Sequence, residues 1–151
     1  MTQRPLFVYG TLCDADVLAT LLGRDLPDHQ RVAGQAPGFR AVHFPQRVYP
    51  ALLAVPGASA PGLLLHGLAP ADLDILDAFE GDEYRRAVLP VQTPAGLVEA
   101  DAYLPVVAIP PDAEPWTLAN WTTMHKPAVL AGELATASAL RARLSTRRDK
   151  P

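Results

Sequence analysis

Glu80 is the residue of this 151-residue chain whose type and position most invite chemistry. On a helix running from Ala71 to about Glu80, Leu73, Leu76 and Glu80 fall on one stripe, with Phe79 beside it. A carboxylate at the C-terminal end of an apolar stripe is poorly solvated and faces the negative end of the helix dipole. Both effects raise its pKa, as a general acid or base requires. The same periodicity accommodates a frayed helix end with Glu80 turned to solvent, and spacing alone does not choose between the two. Glu83 is expected past the helix end and away from chemistry, and Asp72, Asp74 and Asp77 on an exposed face. The second chemical feature is a loop. Leu6-Phe7-Val8-Tyr9 is an apolar run that enters Gly10, Thr11 and Leu12 ahead of a helix. The first amides of such a helix lack internal partners and point outward, where they suit a carboxylate or other anion.

Other reactive side chains offer less. Cys13 lies near a helix start, where a thiolate is stabilised, and a Cys/His hydrolase with His66 or His125 is conceivable. A small, half-buried thiol is the simpler reading. The four histidines, His29, His43, His66 and His125, show no i,i+3 or i,i+4 pairing, so no metal is expected. Ser59 is not in a nucleophile elbow, and Gly10 with Gly23 makes no phosphate-binding fingerprint. Tyr84 and Tyr103 lie on or beside the hairpin after Glu80, where they either line a pocket or pack within a sheet. Tyr49-Pro50-Ala51 is a pocket wall or a strand entrance, and Trp116 and Trp121 are expected to anchor a last helix.

The elements that must position these residues follow from periodicity and turn chemistry. A strand over Leu6–Tyr9 leads to a helix around Val17–Leu22, capped by Thr11 or Asp14 and ended by Gly23. Phe39–His43, Ala51–Val55 and Leu63–Leu68 read as strands, with Gly57-Ala58-Ser59-Ala60-Pro61-Gly62 as a hairpin loop between the last two. Pro70 suits the first turn of the helix that carries Glu80, and Gly81 its end. Ala87–Gln92 and Leu97–Leu104 form a second hairpin around Thr93-Pro94-Ala95-Gly96. An irregular stretch from Pro105 to Pro115 precedes a final helix over 127–144. The order lacks regular strand–helix alternation, which points to an α+β fold: a mixed, partly closed barrel with helices packed outside.

Composition narrows the class. One domain over 1–151 fits the length, and 49% hydrophobic with 19% charged residues predicts a compact chain rather than a disordered one. The net charge of −3 argues against nucleic acid as a partner. A lone cysteine, no secretory leader and no apolar run long enough to span a bilayer predict a cytoplasmic protein without membrane attachment. Oligomeric state is not legible.

Two stretches carry a resemblance. Leu6-Phe7-Val8-Tyr9-Gly10-Thr11-Leu12 is similar to the Tyr-Gly-(Ser/Thr)-Leu signature of the gamma-glutamyl cyclotransferase-like family. Leu76-Asp77-Ala78-Phe79-Glu80-Gly81-Asp82-Glu83-Tyr84-Arg85-Arg86 resembles that family's second block. Its Phe-Glu-Gly form is similar to the branch of the plant avirulence-induced proteins and the gamma-glutamylamine cyclotransferases. The order and separation of the two blocks are more specific than either alone, and the resemblance spans about Pro5 to Leu104. It implies a mixed barrel, a cavity at the Tyr9-Gly10-Thr11-Leu12 loop whose amides hold substrate, and Glu80 as acid/base. Tyr84 and Tyr103 become binding candidates. It implies cyclisation of a small gamma-glutamyl compound to 5-oxoproline with release of an amine or amino acid, without cofactor or metal. The alternative is a non-catalytic binding module of the same fold, with Glu80 paired to Arg85 or Arg86.

Overall fold

The computed structural model describes residues 4–47 and 49–128. Among them, five strands close into a barrel in the order β1-β3-β2-β4-β5. These are β1 (Leu6–Val8), β2 (Arg31–His43), β3 (Pro50–Leu65), β4 (Tyr84–Thr93) and β5 (Gly96–Pro105). The barrel is mixed. β1 runs parallel to β5 and antiparallel to β3, and the other pairs are antiparallel. The helices α1 (Ala15–Leu22), α2 (Pro70–Glu80) and α3 (Leu118–Met124) accompany it. No helix among the described residues is long and apolar enough to cross a membrane.

β1 divides two apolar clusters because its residues alternate between the faces of the sheet. Phe7 joins Ala36, Leu52, Ala60, Leu64, Leu89, Val91, Ala100 and Ala102 inside the barrel. Leu6 and Val8 join Val17, Leu18 and Leu21 of α1, Leu76 of α2 and Trp121 of α3 on the outside. Burial on both faces explains why β1 is a continuous apolar run. α1 starts where the Asp14 carboxylate accepts from the amides of Asp16 and Val17, at 3.0 and 3.1 Å. It ends at Gly23, whose φ is 76°. α2 opens with Pro70 in its first turn. Asp72, expected to be exposed, is buried: it accepts from the Ala69 amide at 2.9 Å and binds Arg24 bidentately at 2.8 and 3.1 Å. That pair ties the end of α1 to the start of α2.

The central strands depart most from the sequence expectation. Gly57–Gly62 is not a hairpin loop but part of β3, which pairs with β2 from Arg31↔Leu65 to His43↔Pro50. The register jumps where Pro37 pairs with Ser59 and Phe39 with Ala54, so residues 55–58 bulge opposite Gly38. Gly57 there has φ 85°, a left-handed conformation that glycine adopts without Cβ strain. The turn signal was a bulge, and the real hairpin connection follows Phe44. Trp121 lies within α3 rather than ahead of the last helix. The helix expected over 127–144 lies outside the described residues beyond Ala128.

Candidate active site

One end of the barrel gathers the termini that matter. β1 and β5 run parallel, so both deliver their C-terminal ends there, where the Tyr9 hydroxyl donates to the Tyr103 carbonyl. β4 begins at the same end, directly after α2, and the Tyr84 hydroxyl donates to the Pro50 carbonyl at the start of β3. A cavity of about 290 Å³ opens between these ends. The loop from Tyr9 to Leu12 forms one wall, and Phe79, Glu80 and Glu83 another. Tyr49, Pro50, Tyr84, Tyr103 and Trp121 complete it. Glu80 and Gly10 lie seventy positions apart in sequence and face one space.

The loop's shape comes from a short turn, Thr11–Cys13, closed by the Cys13 amide on the Gly10 carbonyl at 2.9 Å. The amides of Thr11 and Leu12 begin that turn and have no partner within it. Gly10 is required by proximity rather than by its dihedrals: a Cβ there would meet Pro50 Cγ at 2.6 Å. Across the cavity, Glu80 closes α2. Its side chain makes no hydrogen bond or ion pair with any described residue. Burial, reinforced by the negative charge of Asp77, pushes its pKa up to about 8. The residue keeps some accessible surface because it lines the cavity. Burial is also the largest cause that raises the phenol pKa values of Tyr9, Tyr84 and Tyr103, so all three stay protonated.

Residues 6–123 match the sequence model of a family described as gamma-glutamyl cyclotransferase, AIG2-like. The chain belongs to that family. It is 30% identical over 129 residues to AIG2-like protein D of Arabidopsis thaliana, covering 83% of each. A solution structure from Arabidopsis thaliana superposes with a TM-score of 0.65 at 25% identity, covering 98% of this chain and 94% of that one. A structure titled gamma-glutamyl cyclotransferase shares the fold, with a TM-score of 0.53 at 15% identity, over 68% of this chain and 66% of that one.

Every candidate that the family resemblance named, Tyr9, Gly10, Thr11, Leu12, Glu80, Tyr84 and Tyr103, lines the cavity. The tyrosine hydroxyls are engaged by protein: Tyr103 Oη donates to Asp77 Oδ1 at 2.6 Å, beside the Tyr9 and Tyr84 bonds given above. Arg86 does not pair with Glu80. It binds Asp77 instead, with Nε 2.8 Å from Oδ1. Cys13 is not a cavity residue; its thiol donates to the Val8 carbonyl at 3.2 Å, and burial pushes its pKa up to about 12. That environment is the reverse of an activated nucleophile's. Among the described residues, no three His, Cys, Asp or Glu side chains gather as metal ligands.

Glu83 requires a correction, because it is not remote. It lines the cavity, accepts from the Tyr49 hydroxyl and pairs with Arg47, whose Nε is 3.2 Å from Oε2. Tyr49 is a wall residue, one of the two readings left open by sequence, and Trp121 contributes to the wall as well. Tyr49 and Glu83 meet only because the β2–β3 connection folds onto the start of β4. No local pattern signals it.

Proposed function

We propose that the protein is a gamma-glutamyl cyclotransferase-type enzyme, which cyclises a gamma-glutamyl compound to 5-oxoproline and releases an amine or amino acid. One observation carries this reading: a carboxyl without a hydrogen-bond or ion-pair partner among the described residues, its pKa raised by burial to about 8, faces the same cavity as the Tyr9–Leu12 loop. Membership of the family supports it.

In this reading the amides of Thr11 and Leu12 receive the substrate's α-carboxylate, and the α-ammonium lies beside Glu80. Glu80 holds its own proton at neutral pH until that cation arrives. The positive charge favours the carboxylate form, so binding expels a proton and leaves a base next to the group it must deprotonate. Glu80 then takes a proton from the ammonium. The freed amine attacks the γ-carbonyl carbon of its own chain, forming the N–C bond of the lactam. Glu80 returns that proton to the departing nitrogen as the original C–N bond breaks, and accepts the second proton that the ring nitrogen sheds on becoming the lactam amide, which the released amine then carries away. The nucleophile belongs to the substrate, so the enzyme's contribution is to hold a folded conformer and move protons.

The test is a panel of gamma-glutamyl compounds with different amine halves, scored for 5-oxoproline release by the parent and by Glu80→Gln. Release by the parent and its loss in the variant are expected. Equal release by the two removes Glu80 as the proton-transfer group, and no release from any compound removes the reaction.

A further inference from the structure

The cavity holds two carboxylates, and the reaction above uses one. Glu83 stands on the short turn Gly81–Glu83 after α2, with a side chain 34% exposed against the deep position of Glu80. One of its oxygens accepts from the Tyr49 hydroxyl, and the other faces Arg47 Nε. The same Nε lies 2.8 Å from Tyr49 Oη, so the three side chains form a closed clasp. The clasp has a direction. Glu83 and Tyr49 line the cavity, whereas Arg47 does not: its Nη1 turns to the Gln46 carbonyl at 3.3 Å. Glu83 and Tyr49 are thus the members of the clasp at the cavity wall, and Arg47 holds them from outside the lining.

A gamma-glutamyl group whose ammonium reaches Glu80 occupies the deep end, and its variable half must extend toward the exposed rim. In the pose of the proposed reaction, that half is placed on the side of Glu83, the more exposed of the two carboxyls. Among the described residues that line the cavity there is no lysine, arginine or histidine, so a carboxylate arriving there meets only negative or neutral groups.

We propose that Glu83, held by Arg47 and Tyr49, is a specificity-determining residue that selects a leaving half bearing a positive charge over one bearing a carboxylate. The assignment rests on the cyclotransferase reading for the pose of the substrate. Its test separates the two. Binding is measured by calorimetry in the Glu80→Gln background, which keeps the probe intact, and turnover is measured in the parent.

Two probes of similar length serve: gamma-glutamylputrescine, which ends in an ammonium, and gamma-glutamyl-γ-aminobutyrate, which ends in a carboxylate. The cationic probe should bind more tightly. Adding Glu83→Gln should lower the preference by about fivefold, the size of a charge contact in a partly exposed site. Adding Arg47→Ala, on the solvent side of the clasp, should raise it by a similar factor. A purely structural clasp would weaken both probes alike in both variants. That result, or an unchanged preference after Glu83→Gln, overturns the proposal. Binding preference without 5-oxoproline release overturns the cyclotransferase reading and leaves Glu83's role standing. Release without preference does the opposite, and binding of neither probe overturns both.

Discussion

Glu80 and Glu83 are the same residue type, three positions apart, facing the same cavity, and their surroundings make them different chemical objects. The floor around Glu80 offers its carboxylate no partner among the described residues, and burial lifts its pKa to about 8. The rim around Glu83 supplies a phenol and a guanidinium, and its side chain is 34% exposed. A group without partners exchanges its proton when a charge arrives, whereas the Glu83 carboxylate is fixed in place by a phenol and a guanidinium. The proposed function places proton transfer at the floor and the proposed selectivity places recognition at the rim, in keeping with that contrast.

The largest expected effect tests the floor. Glu80→Gln should lower kcat by about a hundred- to ten-thousand-fold, the contribution typical of a positioned acid–base group. Thermal unfolding at neutral pH should stay unchanged or move upward, because Glu80 must take up a proton on folding whereas a glutamine is neutral in both states. If kcat for 5-oxoproline release survives Glu80→Gln, or falls as far in Glu83→Gln, floor and rim do not differ as claimed.

The opposite wall comes next. Gly10→Val drives a Cβ toward Pro50, where the nearest ring atom is 2.6 Å away. Either the Thr11–Leu12 amides move out of register or Pro50 retreats and reshapes the wall. Overpacking of this kind costs about 1–3 kcal/mol in stability. A variant that remains folded by circular dichroism should bind gamma-glutamyl ligands at least about tenfold more weakly by calorimetry, one tenfold step being about 1.4 kcal/mol. Normal affinity would remove the loop from the site.

Most of this floor was legible in sequence, because its parts are local. The apolar run at β1, the Asp14 and Gly23 caps, Pro70 and Gly81 around α2, and the Thr93–Gly96 turn each report their own conformation within a few residues. Glu80 itself followed from helical spacing, although spacing could not say whether it turned inward. The long arm of β2 and β3 was not legible, since Gly57–Gly62 read as a hairpin loop and its first strand as starting at Phe39, while the structure pairs Arg31–His43 with Pro50–Leu65 and places Gly57 at a bulge. The rim failed for a related reason. Tyr49 and Glu83 are 34 residues apart and meet through that same arm, so its misreading hid the clasp.

A stability measurement carries the contrast into pH. Glu80 has a folded pKa near 8 against an ordinary value of 4.5, so between those pH values the folded state binds a proton that the unfolded state has released. Stability contributed by this group is therefore fully present below about 4.5 and is lost as pH rises through about 8. The size is on the order of a few kcal/mol. Urea unfolding of the parent should show this decline, and Glu80→Gln should lack that component of it. Parallel profiles for the two proteins would mean that Glu80 is not held in its neutral form.

The smallest effect separates the causes of that raised pKa. Asp77, which also holds Arg86 and the Tyr103 hydroxyl, adds negative charge beside Glu80, but burial is the larger cause. A nearby negative charge disfavours the ionised carboxyl, so Asp77→Asn should lower the Glu80 pKa, and only by part of the total shift. In kcat/KM, which follows ionisations of the free enzyme, the limb that rises through about 8 should move to lower pH. Glu83→Gln should leave that limb in place, because the charge of Glu83 is not among the causes that raise Glu80. A limb that moves with Glu83→Gln and not with Asp77→Asn would couple the rim to proton transfer. It would replace the division between floor and rim with a single interacting pair of carboxylates.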